Sequence, residues 1–457
     1  MLNAQVERFN RHPMALLIKN ALLVTMDASR RVLRGDLLVE GTRFQRVGTI
    51  GRNDMLGLSK LSVIDGTGLW AIPGLVQAHV HLCQTLFRNQ AEDLELLDWL
   101  RRRIWPFEAA HDEESMETSA RLGIAELFSG GTTTVLDMGS VRHTEVLFEV
   151  ARATGLRYVG GKAMMDDPGT FPGLRELTAD SLAESDALAK TWDGAEEGRL
   201  HYAYAPRFAL SCTDKLLREV GERVASGARV HTHASENKTE CETVKQSRGA
   251  TNITYLRQTG LCTKRSVFAH CVWPAEGELE ALAESSTAVA HCPSSNLKLG
   301  SGIAPIPDLI SRGIRVGIGA DGAPCNNRLD AFEEMRLAAL LPRPRYGPAS
   351  LPAERVFEMA TIGGAQALGL EREIGSLEEG KQADVALIDP RGFHALPHAP
   401  DVYSTLVLAL RAADVRHVVV AGRPVFQDGE LVGLNVEALR RRAVEQWECV
   451  KSRAGIV

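Results

Sequence analysis

At 457 residues, with 44% hydrophobic and 24% charged side chains, the chain holds enough apolar mass for one large barrel plus a smaller unit. A net charge of -6 argues against nucleic acid as the main partner, because phosphate binding needs clustered cations. No apolar run approaches the roughly 18 to 20 residues of a membrane span, residues 1–8 lack a charged-then-apolar leader, and the cysteines are scattered with no Cys-x-x-Cys pair. The expectation is a cytoplasmic enzyme without a disulfide framework, free of membrane contact and assembled as a homo-oligomer.

Residues 14–72 read as short strands and turns. Stretches 15–24, 36–40 and 44–48 are β-rich and punctuated by Gly and Asp. Stretches 383–389 and 415–423 have the same character at the other end. The economical arrangement is one small β-sandwich built from both termini, residues 1–72 and 376–457, clasping a central unit of residues 73–375. That unit alternates short apolar strands with helical periodicity, the pattern of βα repeats. Strands are predicted over 73–81, 132–137, 156–162, 200–205, 229–233, 266–270, 287–291 and 316–321, with helices such as 114–129, 182–192 and 274–284 between them. Such a series, about 300 residues long, predicts a (β/α)8 TIM-type barrel, an α/β fold. Gly130-Gly131-Thr132 lacks the Lys-Ser/Thr of a phosphate loop and reads as a tight helix-to-strand turn.

The first barrel strand, PGLVQAHVH, organises the rest. Residues i and i+2 of a strand face the same way, so His79 and His81 aim at one point. His233 ends the fifth strand and Asp321 the eighth, and a barrel gathers its strand ends at one mouth. Three imidazoles and a carboxylate suit one divalent ion, zinc first and iron second. Any one of these residues alone is more often a satisfied polar side chain, but four at one mouth favour a metal site. Glu236 lies three residues beyond His233, placed for proton transfer between a water and a leaving group. His270, ending the next strand, could orient the same water, and Asp321 could accept its proton while touching the metal.

These motifs resemble the amidohydrolase superfamily, in its mononuclear deaminase and chlorohydrolase branch. The resemblance runs nearly end to end, through PGLVQAHVH, DWLRRRIWPFE, HTHASEN, AHCV, HCPSSNLKL, GADGAPCNNRLD and EIGSLEEGKQADVALID. It implies the same ligands, His79, His81, His233 and Asp321, and the same catalytic groups, Glu236, His270 and Asp321. It further implies that Glu108 grips the ribose hydroxyls of an adenosine derivative and that His291 belongs to the site. Two residues pull another way: Gln84 and Arg207 resemble positions that bind the base in guanine deaminases.

The reading that follows is a metal-dependent hydrolytic deaminase of a purine nucleoside, 5'-deoxyadenosine or a related 5'-modified adenosine. Guanine or s-triazine hydrolysis is the rival within enzymes. A binuclear centre bridged by a carboxylated Lys162, and a metal-free binding paralogue, are the remaining alternatives. Trp99 and Trp105 are expected in the core.

Overall fold

The computed structural model describes residues 15–58 and 60–456; the leader reading of residues 1–8 falls outside them. Eight parallel strands form a barrel: β1 Leu75–His81, β2 Thr132–Met138, β3 Arg157–Gly161, β4 Leu200–Pro206, β5 Arg229–Ala234, β6 Ser266–His270, β7 Ala288–His291 and β8 Val316–Ile318. Ile318 pairs with Gln77 and Ala203 with Arg229, which closes the ring. A parallel barrel sheet is covered on both faces, so its strands read as continuous apolar runs rather than alternating ones. Every residue of β1, β2, β3, β6 and β7 is accordingly buried.

Local signals set the helix ends. Asp112 caps helix Glu113–Ser129 by accepting the Ser115 N–H, satisfying a donor that the first turn leaves unpaired. Gly131 then takes φ +83° in the expected turn into β2, a conformation that favours glycine. The helix expected from residue 274 starts instead at Glu278, because Gly277 is left-handed at φ +79° and breaks the pattern before it.

The termini meet as expected. Strands Trp70–Pro73 and Val385–Ile388 pair antiparallel and join the N-terminal strands to the C-terminal ones in a single hydrogen-bonded sheet. Leu16, Ile18, Leu37, Val39, Phe44, Val385, Leu387 and Val419 fill its core. Arg157, at the start of β3, donates through Nε and Nη2 to both carboxylate oxygens of Asp384 at 2.7 and 3.1 Å. Both side chains are buried, and Asp384 also accepts the Ala421 N–H, so this pair locks the barrel to the sheet. Among the described residues no helix is long and apolar enough to cross a membrane.

Above the barrel, the segment after β1 folds over the strand ends. Helix Leu96–Trp99, a π-helical turn Leu100–Ile104 and helix Trp105–Ala109 follow one another there. Leu96, Trp99, Ile104 and Trp105 pack with Met165 and Phe208 into an apolar layer over the mouth.

Candidate metal centre and active site

One ligand atom from each of His79, His81, His233 and Asp321 lies within 4.8 Å of all the others. Main-chain carbonyls fix two of these rings. His81 Nδ1 donates to the Met138 carbonyl at 2.8 Å and His233 Nδ1 to the Arg207 carbonyl at 2.7 Å. A carbonyl only accepts, so each ring keeps its proton on Nδ1 and turns an Nε2 lone pair to the centre. Those two Nε2 atoms are 3.3 Å apart. Burial, and then the neighbouring imidazoles, push both rings well below the usual histidine range and keep them neutral. His79 Nε2 is also buried without a hydrogen-bond partner. Facing lone pairs with no proton between them call for a cation, so the residues present fit a divalent ion.

Asp321 completes the group, with Oδ1 at 3.2 Å from His79 Nε2 and 3.3 Å from His81 Nε2. Its Oδ2 accepts the Ser295 hydroxyl at 2.6 Å. The strand predicted over 316–321 breaks after Ile318. Asp321 sits at φ +63°, leaves the β8 ladder and re-pairs beside Val80 of β1. This bend brings the chain against β1: a Cβ on Gly319 would lie 2.7 Å from the His79 carbonyl oxygen. Burial opposes ionisation of Asp321, but its contact with His79 outweighs it and holds the carboxyl well below its usual range.

Glu236 stands beside this group on the loop after β5. Asn237 caps helix Lys238–Arg248 and Glu240 answers from its first turn, accepting the backbone N–H of Glu236 at 2.8 Å. That capping box fixes where the Glu236 side chain starts. Burial, then the Asp321 and Glu240 carboxylates, push the Glu236 carboxyl well above its usual range. His270 Nδ1 is held by Asn296 Oδ1 at 2.8 Å. Its Nε2 therefore faces inward, 3.6 Å from Glu236 Oε2 and 3.8 Å from Asp321 Oδ2. Burial lowers His270 to about 4, which keeps it neutral.

A cleft of about 360 Å³, counted to its open mouth, reaches this centre. His81, Gln84, Leu96, Trp99, Arg207 and Glu236 are among the residues that line it. Trp105 is in the core as expected, while Trp99 is both buried and part of the cleft wall. His291 ends β7, buried and off that wall, with Nδ1 unpartnered.

Glu108 is engaged within the protein. It does not line the cleft but lies behind Gln84 and Arg207, 3% exposed. Gln84 Nε2 donates to Oε1 at 2.8 Å, Arg207 Nη2 donates to the same oxygen at 3.0 Å, and Arg207 Nη1 binds Oε2. A carboxylate offers about four lone-pair sites and three are taken, so it cannot accept both hydroxyls of a diol as it stands. Lys162 is likewise engaged elsewhere. Its buried Nζ donates to the Val141 carbonyl at 2.6 Å and pairs with Glu176 at 2.5 Å.

Several residues of the centre went unnoticed in the sequence reading. Ser295 and Asn296, four and five residues after His291, hold Asp321 and His270. His231 precedes His233 by two, the same spacing that links His79 to His81, and its Nε2 meets His79 Nδ1 at 2.8 Å. Glu334 braces the two loops from outside, accepting the Ser294 N–H at 3.1 Å and Asn326 Nδ2 at 2.9 Å. Burial pushes its carboxyl up from 4.5 to about 8, despite those hydrogen bonds. The folded state therefore binds more protons between these two values, and stability is lost as pH rises through that window. Glu334→Gln should flatten this dependence: between about pH 5 and 9 the wild-type Tm should fall further than that of the variant, as followed by circular dichroism.

Residues 70–425 match the model of the amidohydrolase family. The chain is 37% identical to a 5-methylthioadenosine/S-adenosylhomocysteine deaminase of Moorella thermoacetica, over 93% of this chain and 97% of that protein. It is 38% identical to a 5'-deoxyadenosine deaminase of Methanothermobacter thermautotrophicus, over 88% and 91%. In structure it is similar to an adenosine deaminase of Xanthomonas campestris with bound zinc, at a TM-score of 0.89 and 30% identity, covering 96% of this chain and 99% of that one.

Proposed function

The chain belongs to the amidohydrolase family, and on that footing we propose that it is a metal-dependent hydrolase that removes the exocyclic amine of an adenosine-type nucleoside as ammonia. One observation carries this reading: neutral imidazole lone pairs and the Asp321 carboxylate converge beside Glu236, a carboxyl that holds its proton to unusually high pH. Two relatives named for deaminating such nucleosides support the substrate class.

His79, His81, His233 and Asp321 would hold the ion. Zinc suits this nitrogen-rich set best, and the related Xanthomonas campestris structure carries it. When bound, the ion supplies Lewis acidity and brings a water to near-neutral pKa. The chain's own groups do the rest. Protonated Glu236 donates to the ring nitrogen next to the carbon under attack, which makes that carbon electrophilic. Asp321, ionised and steadied by Ser295, takes the proton released as water adds and returns it to the departing amine, while Glu236 regains its proton from the new hydroxyl as the carbonyl forms. Neutral His270, fixed by Asn296, accepts a hydrogen bond from the attacking water and sets its direction. The apolar layer that includes Leu96 and Trp99 walls one side of the cleft.

A second reading has its own support. Gln84 and Arg207, not Glu108, face the cleft, and they are the pair suited to the edge of guanine or a triazine. Ammonia release from adenosine, 5'-deoxyadenosine, methylthioadenosine, adenosylhomocysteine, guanine and melamine separates the two. An adenosine derivative is expected to have the highest kcat/KM; guanine or melamine ahead of all of them would refute the nucleoside assignment and leave the hydrolytic centre standing.

A further inference from the structure

We infer that His231 is a positioning residue for the metal centre, one that sets which nitrogen of His79 is free to bind; this rests on the metal-site reading above. His231 is wholly buried, and its Nε2 lies 2.8 Å from His79 Nδ1. Its own Nδ1 is buried without a partner.

The other two imidazole ligands leave no choice of polarity, because each gives its Nδ1 proton to a main-chain carbonyl. His79 alone is held by another imidazole, which either donates or accepts. For His79 Nε2 to offer a lone pair to a cation, its proton must sit on Nδ1 and be donated to His231 Nε2. The His231 proton must then sit on Nδ1, facing no acceptor. The opposite polarity, with His231 Nε2–H donating to His79 Nδ1, would put a proton on His79 Nε2 and block the site. One hydrogen-bond direction therefore decides whether the third imidazole is a ligand. Since β5 supplies both His231 and His233, the same strand delivers a ligand and the group that orients another ligand.

Outer partners of ligating histidines typically contribute about 10- to 100-fold in metal affinity. Zinc competition against a chelator should show His231→Phe, which lacks an acceptor, binding about 10- to 100-fold more weakly than wild type. His231→Gln, whose amide oxygen can accept, should recover most of that loss. Ring nitrogen NMR of the zinc-loaded wild type should report both His79 and His231 as Nδ1–H tautomers, a readout that does not depend on any variant folding. Wild-type affinity in His231→Phe, or an Nε2–H tautomer of His231 in the loaded protein, overturns the inference. A wild type that takes up no zinc overturns the metal-site reading and this inference with it.

Discussion

Glu236→Gln is expected to lower kcat by about 10² to 10⁴ while the protein keeps its ion, because general acid–base groups contribute on that scale. The amide matches the carboxyl in shape, and the Glu240 capping box that places residue 236 acts on its backbone. What is lost is the transferable proton. Glu236 is outside the four-residue ligand group, so the substitution should leave zinc content at one ion per chain. His233→Ala makes the contrast: it removes an Nε2 lone pair 3.3 Å from that of His81, and should lose zinc and activity together. Since the proton-holding form of Glu236 is the donor, the wild-type rate should fall as pH rises through its pKa, and this limb should vanish in Glu236→Gln. Steady-state kinetics and elemental analysis on the two variants check the assignment. A loss of kcat under about tenfold would mean that another residue moves the proton, and loss of zinc from Glu236→Gln would make this carboxylate a ligand.

The sequence exposed whatever depends on short-range period and on the fold's own rule. His79 and His81 announce themselves because a strand repeats every two residues, and His233, His270 and Asp321 because a barrel brings strand ends to one mouth. His231 obeys the same period and was legible in principle; a histidine inside an apolar strand simply reads as core. The setting of Glu108 was not legible. Its partners Gln84 and Arg207 are 24 and 99 residues away, and only the folded arrangement of the segment after β1 against the end of β4 brings them into contact. The bend at Asp321 was hidden too, since Val316 to Asp321 is a good strand sequence and the left-handed turn serves the approach of Gly319 to β1. Lys162 shows the converse: a strand-end lysine looks available in sequence, and its partner Glu176 becomes visible only in the fold.

Glu108→Gln is expected to lower kcat/KM by about 10² to 10⁴ for adenosine and by the same factor for 2',3'-dideoxyadenosine. The carboxylate accepts two charge-assisted hydrogen bonds from Arg207, each worth roughly 1.5 to 3 kcal/mol, and every 1.4 kcal/mol is tenfold. The variant leaves the Arg207 guanidinium buried without its counter-charge and removes one acceptor that orients the Gln84 amide. Both side chains form part of the cleft wall, so their displacement disturbs any base seated there, with or without a sugar diol. If Glu108 instead swings out to bind the ribose hydroxyls, the penalty should appear with adenosine and vanish with the dideoxy compound, which has no hydroxyls to lose. The ratio of the two kcat/KM values, wild type against variant, therefore separates a residue that holds the wall from one that touches the sugar. Breaking a buried pair also destabilises, by about 3 to 5 kcal/mol, so the assay belongs well below the variant's Tm. An unchanged ratio assigns Glu108 to the wall; a ratio that collapses for adenosine alone returns it to the diol.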